Sequence, residues 1–489
     1  MDDKNGSKRK VIDEHNGSRI QPQEKVSFFD RLKKDVVFRH KVSLSVALFC
    51  MFACLGWNVS QLGPALLDLQ IITTTRLDEA SYFLTAFSLG FLVAVSVAGW
   101  IFRKINRIIV LTVSTVCIAI VTVVTPWCRY FGLMIVVFVV RGLTHGVADA
   151  GGNINILKIW GTDSGPYMQA LHFSFAIGAV ISPLAMAPFL NSQIPHDDSK
   201  MTQEECLRNS TMNSTNNFNS SADIFMKVDC YHQEVIHKDS NIHGAFVISA
   251  GITLVSGLLF SYFLFHKTNS NVEQTQTCRL SSNLPKSMRL TTIGIVCITF
   301  FCVQVLEKSI VFYLTAFTVE HFAWPKALGS YATSAFWASH AFGRFTAIGI
   351  TKRFRIRYIF GLYIFMHCVC SVCLLITNLL KLEIGIWIFI PISGFCQSIL
   401  FPSLMCWTEQ DFFKVSGKMV SLFMLTGSSG SMLTPIFLGY LIDLYSPMWF
   451  SYAVLIFSIC LIIIYIVLFI LARKIESHGK ENELFINVS

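Results

Sequence analysis

A dozen apolar runs, each long enough to cross a lipid bilayer, decide what this chain can fold into. They cover approximately 43–69, 80–101, 108–126, 131–156, 165–190 and 243–265, then 290–317, 328–350, 357–378, 384–407, 418–442 and 448–471. At about 1.5 Å of rise per residue, roughly 20 residues span the ~30 Å hydrocarbon core. Backbone amides in lipid find no water, so each run must satisfy its own hydrogen bonds as a helix. Of the 489 residues, 53% are hydrophobic and only 14% charged, too few to cover soluble domains of this size. The expected fold is an all-α multi-pass membrane protein embedded in the lipid bilayer.

The net charge of +9 could suggest a nucleic-acid partner. The basic residues sit instead in tails and short loops beside the spans, which reads as topology and not as a binding face. The stretch 1–42 is polar and no small-residue cleavage site follows the first run, so that run is expected to stay as a permanent helix, not a signal peptide. Arg31, Lys33, Lys34, Arg39 and Lys41 precede it, while Arg103, Lys104 and Arg107 follow the second span and Lys352, Arg353, Arg355 and Arg357 the eighth. The alternate connections carry one cation each: Arg76, Arg129, Lys326 and Lys381. Lys and Arg favour the cytoplasmic side, so both termini are expected there. Loop 191–242 then lies outside, where glycosylation sequons at Asn209, Asn213 and Asn219 and a Cys206–Cys230 disulfide are expected. Most other cysteines lie inside apolar runs and serve as small hydrophobes. The plasma membrane is the expected location, and internal membranes of the secretory route fit the sequons equally.

The chain also repeats itself. Gly99-Trp-Ile-Phe-Arg103-Lys-Ile-Asn-Arg107 follows the second span, and Gly349-Ile-Thr-Lys-Arg353-Phe-Arg-Ile-Arg357 follows the eighth. Gly, Arg and Arg recur in register, on the same side of the membrane in both copies. That arrangement resembles the six-plus-six plan of the major facilitator superfamily: twelve transmembrane helices in two parallel six-helix pseudo-repeats. The expected organisation is an N-terminal tail 1–42, a half 43–266, a linker 267–289, a second half 290–471 and a tail 472–489.

Ionisable residues at membrane depth are costly and mark functional positions by default. The fourth span carries Arg141, His145, Asp149 and Asn153 at successive steps of four. Each step turns about 40° around a helix, so the four form one stripe facing a cavity or partner helices. Arg141 fits either an internal polar network or a cavity wall. Asp149, where Gly151 and Gly152 are expected to open the backbone and leave space, is expected to face the cavity and to bind a coupling cation, Na+ or H+, because a lone buried carboxylate is protonated or paired. The fifth span adds Gln169 and His172, the first Trp57, Asn58 and Gln61, the seventh Gln304, Glu307 and Lys308, and the eighth Trp337, Ser339, His340 and Arg344. Amide and indole donors around a membrane cavity suit a small neutral polyhydroxyl ligand. Glu307 and Lys308 are adjacent, about 100° apart on a helix, and are expected to face different partners.

The stretch from Gly142 to Leu171, GLTHGVADAGGNINILKIWGTDSGPYMQAL, continuing HFSFAIGAVISPL, resembles the sodium-dependent glucose transporter branch of the major facilitator superfamily, the domain-containing-4 group. The eighth-span string from Ser334 to Arg344 and the tenth-span stretch from Gly394 to Pro402 are similar to the same branch. More distantly, Asp149 four residues before Asn153 matches the coupling acid and asparagine of bacterial fucose–proton symporters. Their fifth-span sugar-contacting glutamine falls at His172, and a first-span acid falls near the neutral Gln61. The resemblance implies a hexose such as glucose as solute, Na+ (or H+) as coupling ion and no resident cofactor. Gln61, Asn153, Gln169, His172, Gln304 and Trp337 are then the expected solute contacts. Arg103, Lys104, Arg107, Arg344, Arg353 and Arg357 are the expected gating cations of an alternating-access cycle. The loop acid that major facilitators often pair with such cations is missing beside Arg103, where Ile101 and Phe102 stand.

Other readings remain: a facilitative or proton-coupled carrier, a carrier of another small polar solute such as an organic anion, or a non-transporting sensor or scaffold. An enzyme is not expected. No nucleophile–base pair, metal-ligand spacing or phosphate-binding glycine loop is evident, and Gly151-Gly152 lies within a span.

Overall fold

The computed structural model describes residues 28–161, 164–190, 241–265, 286–413, 415 and 417–488. Asn209, Asn213, Asn219, Cys206, Cys230 and positions 267–285 of the linker lie outside the described residues. The chain divides into two units, 1–43 and 44–489. The first contains a short helix, Phe28–Lys34, and the start of the first span.

The described residues form the twelve expected spans as helices. The first is broken at Gln61 into Val36–Ser60 and Leu62–Thr73. Leu77–Lys104, Arg107–Val124, Phe131–Trp160, Ser164–Met186 and Ile242–Phe265 complete the first half. The second half comprises Lys286–Phe322, Lys326–Arg353, Ile356–Leu379, a broken tenth span, Gly417–Leu444 and Trp449–Val488. The tenth runs as Ile384–Gln397, then Leu400–Trp407, and ends in a π-helical turn, Thr408–Phe412. Eleven of the twelve are long and apolar enough to cross a membrane; the eighth, Lys326–Arg353, falls short of that apolarity. Ser330, Ser334, Ser339, His340 and Arg344 dilute its hydrophobic content, so it needs protein on several sides to shield it.

Lipid tails are as apolar as leucine, so the helices hold together through close packing, not through exclusion of water. Small residues make that possible. A Cβ added at Gly56 would meet the Phe175 carbonyl and one at Gly178 the Ala53 carbonyl, which brings the first and fifth spans backbone to backbone. Gly90 and Gly142 do the same for the second and fourth. Between the halves, the second span packs on the eleventh and the fifth on the eighth. Below, the face carrying connections 74–76 and 323–325 is termed outer, and that carrying 105–106 and 354–355 inner.

Candidate functional site

The fourth-span stripe divides in two. Arg141 is fully buried and donates from Nη2 to the carbonyl (3.1 Å) and the Oδ1 (3.2 Å) of Asn58 in the first span. Asn58 also accepts from Thr122 and donates to Cys54 and Thr253, each at 2.9 Å, so it joins the first, third, fourth and sixth spans. The guanidinium lies near the Phe138 and Phe246 rings, 5.9 and 5.6 Å from their centroids. His145 turns its Nδ1 to the Arg141 carbonyl and sets its ring edge-on to Phe87. Arg141 and His145 thus belong to the packing of the first half. Asn58→Ala removes all four side-chain bonds at once and leaves Arg141 only a backbone partner. At about 1 to 3 kcal/mol for each stranded buried group, its unfolding midpoint in detergent is expected to fall by several degrees; an unchanged midpoint would contradict this role.

Two turns further in, Asp149 and Asn153 are partly exposed. Asn153 bonds to the Asp149 backbone carbonyl at 2.9 Å. The Asp149 carboxylate makes no ion pair or side-chain hydrogen bond among the described residues, and its oxygens are not sealed from their surroundings. Gly151 and Gly152 do not open space beside it, as the sequence suggests. A Cβ there would strike the Phe102 and Phe52 rings, so these glycines admit large aromatic neighbours. Phe52 also sets its ring edge-on to His172, with centroids 5.8 Å apart. His172 is half-buried and Gln169 exposed. Gln61 is fully buried and accepts from Ser249 of the sixth span at 2.7 Å, so its carbonyl is occupied within the first half.

In the second half, Gln304 accepts a long bond from Ser431, 3.4 Å. Glu307 and Lys308 differ from their expected divergence: Lys308 Nζ meets Glu307 Oε1 at 2.7 Å. The four-carbon lysine stem is flexible enough to curl back across the angle between neighbouring helix positions. Trp337 is 2% exposed, and its ring lies edge-on to Phe175 of the first half, with centroids 5.9 Å apart. Arg344 makes no ion pair or hydrogen bond among the described residues.

The two halves are joined from the outer side to mid-depth. Lys326 Nζ meets Asp68 Oδ1 at 2.6 Å, with side-chain exposures of 1% and 0%. Arg76 pairs with Asp443 at 2.9 Å. Tyr313 donates to Ser81 at 2.6 Å, Ser330 to the Pro183 carbonyl at 2.7 Å and Ser334 to the Val180 carbonyl at 2.9 Å. Nearest mid-depth, Ser88 donates to the Ser431 carbonyl at 3.2 Å. At the inner ends Arg103, Lys104 and Arg353 are exposed, and among the described residues no ion pair joins the halves there. Arg357 is buried and held within its own half, at 3.1 Å from Glu476 and 3.5 Å from Asp411. Arg107 is half-buried. Among the described residues, the polar ties between the halves lie from the outer side to mid-depth.

Asp68, Tyr313 and Ser81 were not among the expected functional residues, and Lys326 counted only as a loop cation. The signal for Asp68 is present in the sequence: it is a lone acid in an apolar run, as Asp149 is. Its partner stands far along the chain, which no local pattern reveals.

The family profile of the Major Facilitator Superfamily matches residues 296–486. Sodium-dependent glucose transporter 1A of Mus musculus is 27% identical over 397 residues, 81% of this chain and 88% of that protein. Sodium-dependent glucose transporter 1 of Danio rerio is 30% identical over 420 residues, 84% of this chain and 66% of that protein. Among solved structures, a bacterial homologue of the human lysosomal transporter Spinster, inward-facing and unoccupied, superposes with a TM-score of 0.62 at 10% identity, covering 90% of this chain and 98% of that one. The E. coli fucose:proton symporter FucP, in its outward conformation, gives a TM-score of 0.53 at 16% identity, covering 88% and 98%.

Proposed function

This chain belongs to the major facilitator superfamily of membrane transporters, and from that premise we propose that it carries a hexose-sized polar solute by alternating access, coupled to Na+. The observation that carries the reading is the carboxylate of Asp149, unpaired among the described residues, in a span whose buried cation, Arg141, is engaged in packing. A lone carboxylate at membrane depth is disfavoured unless a cation joins it. Na+ bound there neutralises the loaded carrier, so the loaded form reorients more readily than the empty one. The sodium-dependent transporters among the relatives favour Na+ over H+.

The solute takes the space between the halves, with Asn153, Gln169 and His172 on one side and Gln304 and Trp337 on the other. Gln61 joins the first side: its carbonyl is bonded to Ser249, and its buried amide nitrogen, without a partner among the described residues, is left for the solute. The inner face of the described state is the cytoplasmic one, following the basic connections, at a plasma membrane that the outer-loop sequons suit. Asp68 and Lys326 form the outer latch. When the halves rock, that latch parts, and Arg103, Lys104, Arg107 and Arg353 approach acidic groups and helix C-termini at the inner face. Arg357 stays with Glu476 and Asp411 as a brace within its own half.

Counterflow tests solute transport independently of coupling. Proteoliposomes loaded with unlabelled D-glucose are expected to accumulate external labelled D-glucose transiently, well above protein-free vesicles. Traces that never exceed those of the empty vesicles would remove the hexose-sized solute from the reading.

A further inference from the structure

The eighth span carries three buried polar nitrogens that nothing receives. Trp337, His340 and Arg344 recur at steps of three and four, which places them along one stripe of a helix with about 3.6 residues per turn. Trp337 Nε1, His340 Nδ1 and Arg344 Nε are all sealed and lack a hydrogen-bond partner among the described residues. Trp337 and His340 are each 2% exposed, and their rings stand 5.2 Å apart. The remaining guanidinium nitrogens of Arg344 are not among the sealed atoms.

Charge is unbalanced in the same place. Lys308 and Glu307 satisfy each other at 2.7 Å. Arg344 then adds a second cation, with no carboxylate in ion-pair range among the described residues. One positive charge is left over within this cluster of the seventh and eighth spans. Trp337 of the same stripe sets its ring against Phe175 of the first half, with centroids 5.9 Å apart, so the excess charge lies on a helix packed where the halves meet. A lone guanidinium at membrane depth is unfavourable by several kcal/mol unless an anion or water meets it. A neutral hexose supplies hydroxyls but no charge.

Resting on the transport reading above, we propose that this cluster binds the carboxylate of a hexose-sized sugar acid, a hexuronate or an aldonate, in preference to the neutral sugar. The planar fork of Arg344 matches a carboxylate with two parallel N–H···O bonds, which a lysine at that position could not reproduce. His340 and Trp337, one turn and two turns further out along the same stripe, offer nitrogens to the adjoining hydroxyls. Glu307 holds Lys308, which keeps the pocket singly positive and limits it to a monoanion.

Counterflow of labelled D-glucuronate and labelled D-glucose, in the same proteoliposome preparations, tests this. Wild-type protein is expected to exchange glucuronate with a half-saturating concentration at least tenfold below that for glucose. In Arg344→Gln that preference is expected to fall about 10- to 100-fold, the range of charge-assisted hydrogen bonds. Arg344→Lys keeps the charge but not the fork and is expected to recover part of the preference. Monodisperse elution and an unshifted unfolding midpoint accompany each variant, and the ratio between two solutes separates recognition from loss of fold. Glucose exchange with no exchange or competition by glucuronate would overturn the carboxylate site and leave the transport reading standing. Exchange of neither solute would overturn both, and a preference unchanged in Arg344→Gln would remove Arg344 from the site.

Discussion

Lys326→Met is expected to open the outer face. In the described state Lys326 and Asp68 meet at 2.6 Å with almost no exposure. Removing the ammonium leaves the carboxylate buried without it, a change that typically costs about 3 to 5 kcal/mol. The protein can relieve that penalty by parting the outer ends of the first and eighth spans and letting water reach Asp68. The outer-closed state alone carries the penalty, so the equilibrium between the two states is expected to shift by more than about 100-fold towards outer-open. A cysteine replacing Ser330, which bonds across the interface to the Pro183 carbonyl, reports the change. Its reaction with a membrane-impermeant thiol reagent applied from outside is expected to quicken at least tenfold over the background of native cysteines. Asp68→Asn combined with Lys326→Met removes both charges, leaves no ion buried alone, and is expected to return much of the way to the parent rate. Equal rates in all three proteins would show that the pair does not hold the outer face shut.

Asp149→Asn carries the second large effect: gradient-driven accumulation is expected to disappear, with the internal solute concentration never exceeding the external one. Asparagine preserves shape and hydrogen-bonding capacity but cannot take a net negative charge, so it isolates the electrostatic contribution. The variant also separates the two candidate ions. A protonated carboxyl is neutral, as asparagine is, so a proton-coupled carrier would keep solute exchange and lose its dependence on pH. A sodium-coupled carrier would lose stimulation by Na+ because the charge that attracts the ion is gone. Asn153 bonds to the Asp149 backbone carbonyl, and the Asp149 carboxylate takes no hydrogen bond or ion pair among the described residues, so the substitution breaks none of these and the fold is expected to survive. Wild-type accumulation in this variant would place the coupling ion elsewhere.

Much of the architecture was legible because the membrane enforces it. A run of apolar residues can satisfy its backbone in lipid only as a helix, and so the spans follow from composition and length. The ends were less legible. The first helix begins at Val36 and continues past a break to Thr73, and the twelfth extends to Val488, because helices can run on beyond the hydrocarbon core into polar sequence. Reading a stripe along the fourth span identified its polar residues but could not divide them. Arg141 and His145 turn to Asn58 and Phe87, while Asp149 does not, and that division depends on neighbouring helices. Helical periodicity misled at Glu307 and Lys308, since angular position describes where Cβ points and not where a long flexible side chain ends. Gly151 and Gly152 misled in the same way: the space they leave is filled by Phe102 and Phe52. The outer latch was illegible for another reason. Asp68 and Lys326 stand 258 residues apart, in segments that meet only because two half-bundles close on each other.

The most direct measurement is accumulation of labelled solute, glucose and glucuronate in parallel, in proteoliposomes under an inward Na+ gradient, an inward H+ gradient or neither. Uptake that rises above the external concentration under the Na+ gradient, and not in the other two conditions, is the predicted result. Equal uptake in all three without accumulation, or no uptake of either solute in any, would contradict a sodium-coupled carrier.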